Sequence, residues 1–217
     1  MERGYFITFE GGEGSGKSTQ CRRLAARLEA QGHQTLATRE PGGAPGAEAI
    51  RKLLVTGAPN RWSPLAETLL FSAARDEHLA ATIIPALARG TVVICDRFAD
   101  STKAYQGAAG GVDAALIDRL EAEVVGATRP DLTFILDVDP DLGMSRAALR
   151  KEGEDRFERK GKGFHKALRA AFLAIAEAAP DRCVVIDASR PADTIAAEIA
   201  AIAETRLRPG EDADGQG

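Results

Sequence analysis

The chain has 217 residues, 44% of them hydrophobic and 28% charged, with a net charge of −4. That mixture supports a buried core under a solvated surface. It excludes a disordered, collagenous or coiled-coil chain over most of the length and makes one globular domain, residues 1–207, the expectation. The acidic balance also argues against a duplex-binding protein, so no nucleic-acid partner is expected.

The first strand is predicted over Tyr5–Phe9. A helix over Lys17–Gln31 follows, on which Leu24, Leu28 and Gln31 repeat every three to four residues. A strand over Gln34–Thr38 comes next, then helices over Gly46–Thr56 and Leu65–Arg89. Pro85 is expected to kink or end the longer one, because it has no N–H to give and its ring crowds the preceding turn. Strands at Thr91–Cys95, Leu132–Asp137 and Cys183–Ile186 alternate with helices at Ala114–Val125, Leu142–Arg150 and Phe164–Ala178, and a last helix spans Ala192–Arg206. Four of the five strands are near-continuous apolar runs, as strands covered on both faces must be; QTLAT at 34–38 departs from that pattern. The alternation implies an α/β fold, a doubly wound five-stranded parallel sheet with helices on both faces. The tail RPGEDADGQG, 208–217, is Gly- and acid-rich and is expected to be disordered.

No segment resembles a secretory leader, and no apolar run approaches the ~18 residues of a membrane helix, so no membrane partner is expected. Cys21, Cys95 and Cys183 are far apart and form no CxxC pair. That suits a reducing compartment, and a cytoplasmic protein is the expectation. His33, His78 and His165 show no metal-ligand spacing. Trp62, next to Pro64, reads as packing.

Directly after the first strand, Gly11, Gly12, Glu13, Gly14, Ser15, Gly16, Lys17 and Ser18 match GxxxxGK[ST]. Glycines let successive N–H groups converge on phosphate oxygens, and the following helix adds its positive end. Lys17 can reach the β/γ-phosphates, the Ser18 hydroxyl can ligate Mg²⁺, and Thr19 can assist a neighbouring phosphate. The ligands implied are ATP and Mg²⁺. The loop alone fits a kinase, a GTPase or an ATP-driven motor, but no guanine-reading NKxD follows a strand.

The third strand ends in Cys95-Asp96-Arg97. Asp96, at the strand edge where open α/β sheets bind ligands, can face the Mg²⁺ or the attacking oxygen, and Arg97 can hold a second phosphate bidentately. A charge-dense stretch at 146–162 carries Arg146, Arg150, Lys151, Arg156, Arg159, Lys160 and Lys162, with glycines at 153, 161 and 163. Most of these read as a solvated face. Glycine hinges make the stretch a candidate mobile lid, and Arg150 and Arg156, with Arg146 next, are the candidate cations for the transferring phosphoryl group. Asp137 reads as supporting the site, Asp139 as starting the next helix, and Asp187–Arg190 as bordering an adenine.

Seven segments resemble the bacterial thymidylate kinase family: FEGGEGSGKST, TREPGG, EAIRKLL, LLFSAARDEHL, IPALARGTVVICDRFADSTKAYQG, RPDLTFILDVDP and DRFE, in order from Phe9 to Glu158. The resemblance implies transfer from ATP to dTMP, giving dTDP and ADP, on a nucleoside monophosphate kinase fold and usually in a homodimer. It also implies that Phe71 stacks on the thymine and Arg75 bonds its carbonyl edge, with Thr102 and Gln106 completing the base contacts. By spacing alone, Phe71 would be core and Arg75 a surface charge. Tyr105 would lie beneath the sugar, Arg39, Arg51 and Arg97 would surround the acceptor phosphate, and Glu13 would approach the 3′-OH or that phosphate. Some family members carry an Arg where this chain has Gly14, and the Arg-rich stretch at 146–162 agrees with its lack here. Two alternatives stand beside this reading: a kinase of another nucleoside monophosphate, and an ATP-binding switch with no phosphoryl acceptor.

Overall fold

β1 (Phe6–Glu10) is buried at every position and pairs in parallel with two neighbours, which explains its unbroken run FITFE. With β2 (Thr35–Arg39), β3 (Val92–Asp96), β4 (Leu132–Asp137) and β5 (Cys183–Asp187) it forms a five-stranded parallel sheet in the order β2-β3-β1-β4-β5. The structure is a computed structural model that describes residues 3–149 and 156–207; Arg150, the part of the candidate lid at 151–155 and the tail at 208–217 lie outside the described residues. Among the described residues no helix is long and apolar enough to cross a membrane. QTLAT departs from the apolar pattern because β2 is an edge strand, only partly buried.

Four strands end one residue later than the apolar runs, at Glu10, Arg39, Asp96 and Asp187, all polar residues that remain in the ladder. The sheet's C-terminal edge is therefore charged, and that is the edge where such sheets bind ligands.

Helices α1 (Lys17–Ala30), α2 (Pro45–Leu54) and α3 (Pro64–His78) follow the pattern closely. The helical stretch expected over 65–89 forms as three consecutive segments. After α3 the chain makes a π-helical turn, Leu79–Ile83, in which the Ile84 N–H reaches back to the Leu79 carbonyl, and α4 (Ile84–Ala88) then begins with Pro85 in its first turn. The wider turn relieves the proline without a break in the helical path. A second segment, α5 (Ala99–Thr102) continued by a π-helical stretch at Lys103–Ala108, has no counterpart in the sequence reading. Its polar composition carries no 3.6-residue apolar repeat. α6 (Ala114–Val124), α7 (Pro140–Ala148), α8 (Lys162–Ala178) and α9 (Ala192–Leu207) complete the chain. Asp139 caps α7 as expected, accepting from the Asp141 N–H at 2.9 Å.

Alternation on β1 assigns its two faces. Ile7 and Phe9 pack with Leu24 and Leu28 of α1 and Ile195 and Ile199 of α9, with Phe9 5.2 Å from the Phe134 ring. Phe6 turns the other way, edge-on to Phe98 at 5.0 Å, among Leu79, Ile83 and Leu87. Each such buried side chain stabilises the fold by about 1.5–3 kcal/mol.

Glu10 is also buried, and it accepts hydrogen bonds from the N–H of Phe98 (2.8 Å) and from the N–H and hydroxyl of Ser101 (3.1 and 2.6 Å). It thereby fixes the turn that carries Arg97. Burial, reinforced by the nearby charge of Asp100, raises its pKa from 4.5 to about 7. A carboxyl raised on folding binds more protons in the folded state. Its contribution to stability is complete at low pH and is lost as the pH rises from about 4.5 through 7. Chemical denaturation at pH 5 to 8 is expected to show this loss, of the order of 3 kcal/mol, in the native protein. It should be largely absent in Glu10→Gln, whose amide keeps an acceptor for the backbone. An unchanged pH slope in the variant would exclude Glu10 as the source.

Candidate active site

The loop between β1 and α1 turns back on itself around the Lys17 ammonium. Nζ donates to the carbonyls of Gly11 (3.0 Å) and Gly12 (2.7 Å) and to the Ser15 hydroxyl (3.1 Å), and Ser15 donates to the Gly12 carbonyl at 2.9 Å. Burial, assisted by the charge of Arg97, lowers the Lys17 pKa to about 8. Gly14 has φ 66°, and a Cβ there would overlap the Gly143 carbonyl oxygen of α7. The loop backbone and α7 are therefore in direct contact. Thr19 is half-buried in the first turn of α1, its N–H on the Gly16 carbonyl at 3.1 Å.

β3 delivers Asp96 and Arg97 to this loop. The Ser18 hydroxyl donates to the Asp96 carboxylate in a very short hydrogen bond. Mg²⁺ completes its oxygen shell largely with water and phosphate and needs only one or two protein ligands. A hydroxyl and a carboxylate at the phosphate loop fit that demand, and the described residues hold no cluster of three or more His, Cys, Asp or Glu that suits a metal. Arg97 occupies a left-handed backbone conformation, φ 68°. Its side chain donates to the Gly11 carbonyl (3.1 Å), the Ser101 hydroxyl (3.3 Å) and Glu13 Oε1 (2.9 Å), and it lies over the Tyr105 ring. Tyr105 also donates to Glu13 Oε1, at 2.6 Å. Glu13, Arg97 and Tyr105 are one contact group.

These residues open onto a cavity of about 660 Å³, a volume suited to small-molecule ligands. The phosphate loop contributes Gly14, Gly16, Lys17 and Ser18 to its lining. Arg39, Arg51 and Arg97 also line it, as do Phe71, Thr102, Tyr105, Gln106 and Phe157. Arg39 is held by Glu48 (2.9 Å) and Arg51 by the Pro41 carbonyl (2.6 Å). The π-helical stretch carries both Tyr105 and Gln106, and its i→i+5 bonding brings these successive side chains closer in direction than an α-turn would.

Two expected site residues are placed differently. Arg75 is only 4% exposed and stands one layer behind the wall, donating to Glu40 (2.8 Å), the Phe98 carbonyl (3.1 Å) and the Thr102 hydroxyl (3.0 Å). Arg156, expected as a phosphoryl-group cation, is 1% exposed and committed elsewhere. It donates to the carbonyls of Leu54 (3.1 Å), Ala58 (3.0 Å) and Pro59 (3.0 Å) and pairs with Glu67 at 2.5 Å. Carbonyls at the end of α2 and in the loop after it satisfy a guanidinium fork in a geometry that the local sequence does not reveal. Arg146 bonds the carbonyls of Ala188 (2.7 Å) and Ser189 (3.2 Å), beside the segment read as an adenine border. Asp137 pairs with Arg169 of α8 at 2.7 and 2.8 Å.

Sequence reasoning did not single out Glu40, Glu67 or Glu158, or Phe157 within the lid stretch. Glu67 accepts from Gln106 at 2.9 Å while pairing with Arg156, and so ties Gln106 on the cavity wall to Arg156. Its helical position in α3 resembles that of any surface glutamate. Phe157 packs on Phe71 and Tyr105, with ring centres at 6.0 and 5.6 Å.

A parallel sheet in this strand order, with a phosphate loop after β1 and a second cationic surface facing it, defines an α/β P-loop kinase. The family model for thymidylate kinase matches residues 9–199. The thymidylate kinase of Caulobacter vibrioides is 58% identical over 207 residues, covering 95% of this chain and 99% of the relative. That of Dinoroseobacter shibae is 57% identical over 198 residues, covering 91% and 95%. A crystal structure of thymidylate kinase from Ehrlichia chaffeensis superimposes with a TM-score of 0.74 at 37% identity, covering 93% of this chain and 99% of that one. The chain belongs to the thymidylate kinase family, ATP-dependent phosphotransferases that convert dTMP to dTDP in dTTP synthesis.

Proposed function

We propose that this chain transfers the γ-phosphoryl group of ATP to the phosphate of dTMP within the cavity at the C-terminal edge of the sheet, acting as one domain over residues 1–207. The observation that carries the reading is the continuity of that cavity. A phosphate loop that would hold donor phosphates, three arginines that would hold an acceptor phosphate and aromatic side chains that would face an acceptor base all line one space.

Lys17 and the loop backbone, Gly11 to Ser18, hold the β- and γ-phosphates, with Thr19 nearby. Nζ exchanges its carbonyl partners for phosphate oxygens, whose charge reverses the depression of its pKa. Arg97, with Arg39 and Arg51, neutralises the acceptor phosphate and keeps its oxygen in line. Positioning and charge of this kind supply most of the rate in phosphoryl transfer, so no strong base is required. Ser18 and Asp96 would hold Mg²⁺, which offsets charge on the transferring group when bound. Phe71 offers a face to the thymine, Thr102 and Gln106 its polar contacts, and Arg75 supports the carbonyl edge. Tyr105 and Glu13 stand at the sugar.

Among the described residues, Leu53, Leu65 and Leu69 at the α2–α3 end expose large apolar surface, which supports a homodimer. Three free buried cysteines support a cytoplasmic location.

ADP release from ATP and Mg²⁺, with dTMP, dUMP, UMP, CMP, AMP and GMP offered separately, tests the function. Turnover should require dTMP and be weak with ribonucleotides. Preference for AMP or CMP would discard the roles of Phe71, Arg75 and Tyr105. Hydrolysis that ignores every acceptor would identify an ATP-binding switch instead.

A further inference from the structure

Partly behind the cavity wall runs a continuous chain of hydrogen bonds. It begins at the C-terminal part of β2, where the Thr38 hydroxyl meets His78 Nε2 at 2.7 Å. The other imidazole nitrogen, Nδ1, donates to Glu40 Oε1 at 3.2 Å, since a carboxylate oxygen accepts. The second oxygen of Glu40 takes the Arg75 Nε–H at 2.8 Å. Arg75 Nη2 then donates to the Thr102 hydroxyl and the Phe98 carbonyl. His78 is fully buried. Of this relay, Glu40 in its middle and Thr102 at its end line the cavity.

A guanidinium tethered through Nε has one orientation left, because the fork is planar and rigid. Glu40 sets that orientation, and His78 sets Glu40 by holding its other oxygen. The backbone is built around this contact as well. Gly43 has φ 82°, and a Cβ on it would overlap both His78 Nε2 and Thr38 Oγ1. The turn after Glu40 is thus pressed onto the histidine, and the Thr82 hydroxyl pins the Gly43 carbonyl at 2.8 Å.

We propose that His78 is a positioning residue for acceptor-base recognition, acting through Glu40 to aim Arg75 and Thr102 at the carbonyl edge of the base. The inference rests on the role given to Arg75 under the proposed function. A thymine presents a carbonyl acceptor where cytosine presents an amino donor, so a correctly aimed donor pair favours dTMP over dCMP. A misaimed pair loses that preference while the phosphate end still works.

The test compares His78→Phe, His78→Asn and Arg75→Ala, alone and combined, for kcat, KM of dTMP, KM of ATP and the dTMP/dCMP ratio of kcat/KM. His78→Phe removes both ring nitrogens. It should raise KM for dTMP and lower the dTMP/dCMP ratio, each by about tenfold, with KM for ATP and kcat at saturating dTMP within about twofold. His78→Asn keeps a donor near the Nδ1 position and should restore most of the ratio. In an Arg75→Ala background His78→Phe should add nothing, because the two act as one unit. If Arg75→Ala lowers the ratio but His78→Phe does not, the proposal is overturned and the role of Arg75 stands. If Arg75→Ala leaves the ratio unchanged, the role of Arg75 itself fails. If the His78 effects fall equally on KM for ATP and kcat, or add fully to those of Arg75→Ala, His78 is merely structural. Should His78→Phe not fold, His78→Asn and its combination with Arg75→Ala carry the same comparison.

Discussion

Lys17→Ala is expected to lower turnover by about 10³-fold, the upper range for loss of one preorganised charge contact at a reacting centre, with little change in the thermal midpoint. Its ammonium is the cation that the phosphate loop closes around, on the Gly11 and Gly12 carbonyls and the Ser15 hydroxyl. Stability should survive because those acceptors keep other donors: Arg97 remains on Gly11 and Ser15 on Gly12. Burial also disfavours the charged amine, as its pKa of about 8 records. The same value fixes a pH dependence. kcat/KM for ATP reports the free enzyme, so it should fall as the pH rises through about 8 and Lys17 loses its proton. Lys17→Arg, charged throughout, should lack that falling limb whatever its absolute rate. Steady-state kinetics from pH 6 to 10 with a thermal melt on each variant settles both points, and near-normal turnover in Lys17→Ala would remove the loop from the mechanism.

Arg156→Ala is the second large effect, and it should appear first in stability. The change leaves the buried Glu67 carboxylate without its cation and strips donors from the Leu54, Ala58 and Pro59 carbonyls. Breaking a buried pair from one side costs about 3–5 kcal/mol. Pairing it with Glu67→Gln, which removes the stranded charge, should recover part of the loss. Denaturation midpoints and kcat measured together discriminate the two roles open to this arginine. A fall in midpoint with kcat preserved in the folded fraction fits the pin that the contacts describe. An unchanged midpoint with kcat reduced at least a hundredfold would return Arg156 to the phosphoryl group, where the sequence reading had placed it.

Arg156 also marks where reading by sequence stops. The strands, the phosphate loop and the charged edge at Asp96 and Arg97 were legible because each is written in consecutive residues: an apolar run, a glycine spacing, a charge pair after a strand. The contacts that assign roles to Arg75, Arg156 and His78 join residues far apart in the chain, His78 to Glu40 across 38 positions and Arg156 to Leu54 across 102. No local periodicity encodes such pairings. The stretch at 99–108 was missed for a related reason, since a π-helical turn has neither the alternation of a strand nor the 3.6-residue repeat of an α-helix. Phe71 and Tyr105 are placed by resemblance, and both line the cavity.

The contact between Gly14 and Gly143 constrains how this chain can change over generations. Two bare backbones meet there, one from the phosphate loop and one from α7, and a Cβ on either would overlap its opposite number or that residue's neighbour. A lineage placing a cation in the loop would need a side chain at position 14, and none fits there while α7 stays where it is. The helix must withdraw first, so a side chain at position 14 needs a matched change in α7. Descendants of this sequence therefore meet two elements that must change together, held as they are by the absence of two methyl groups.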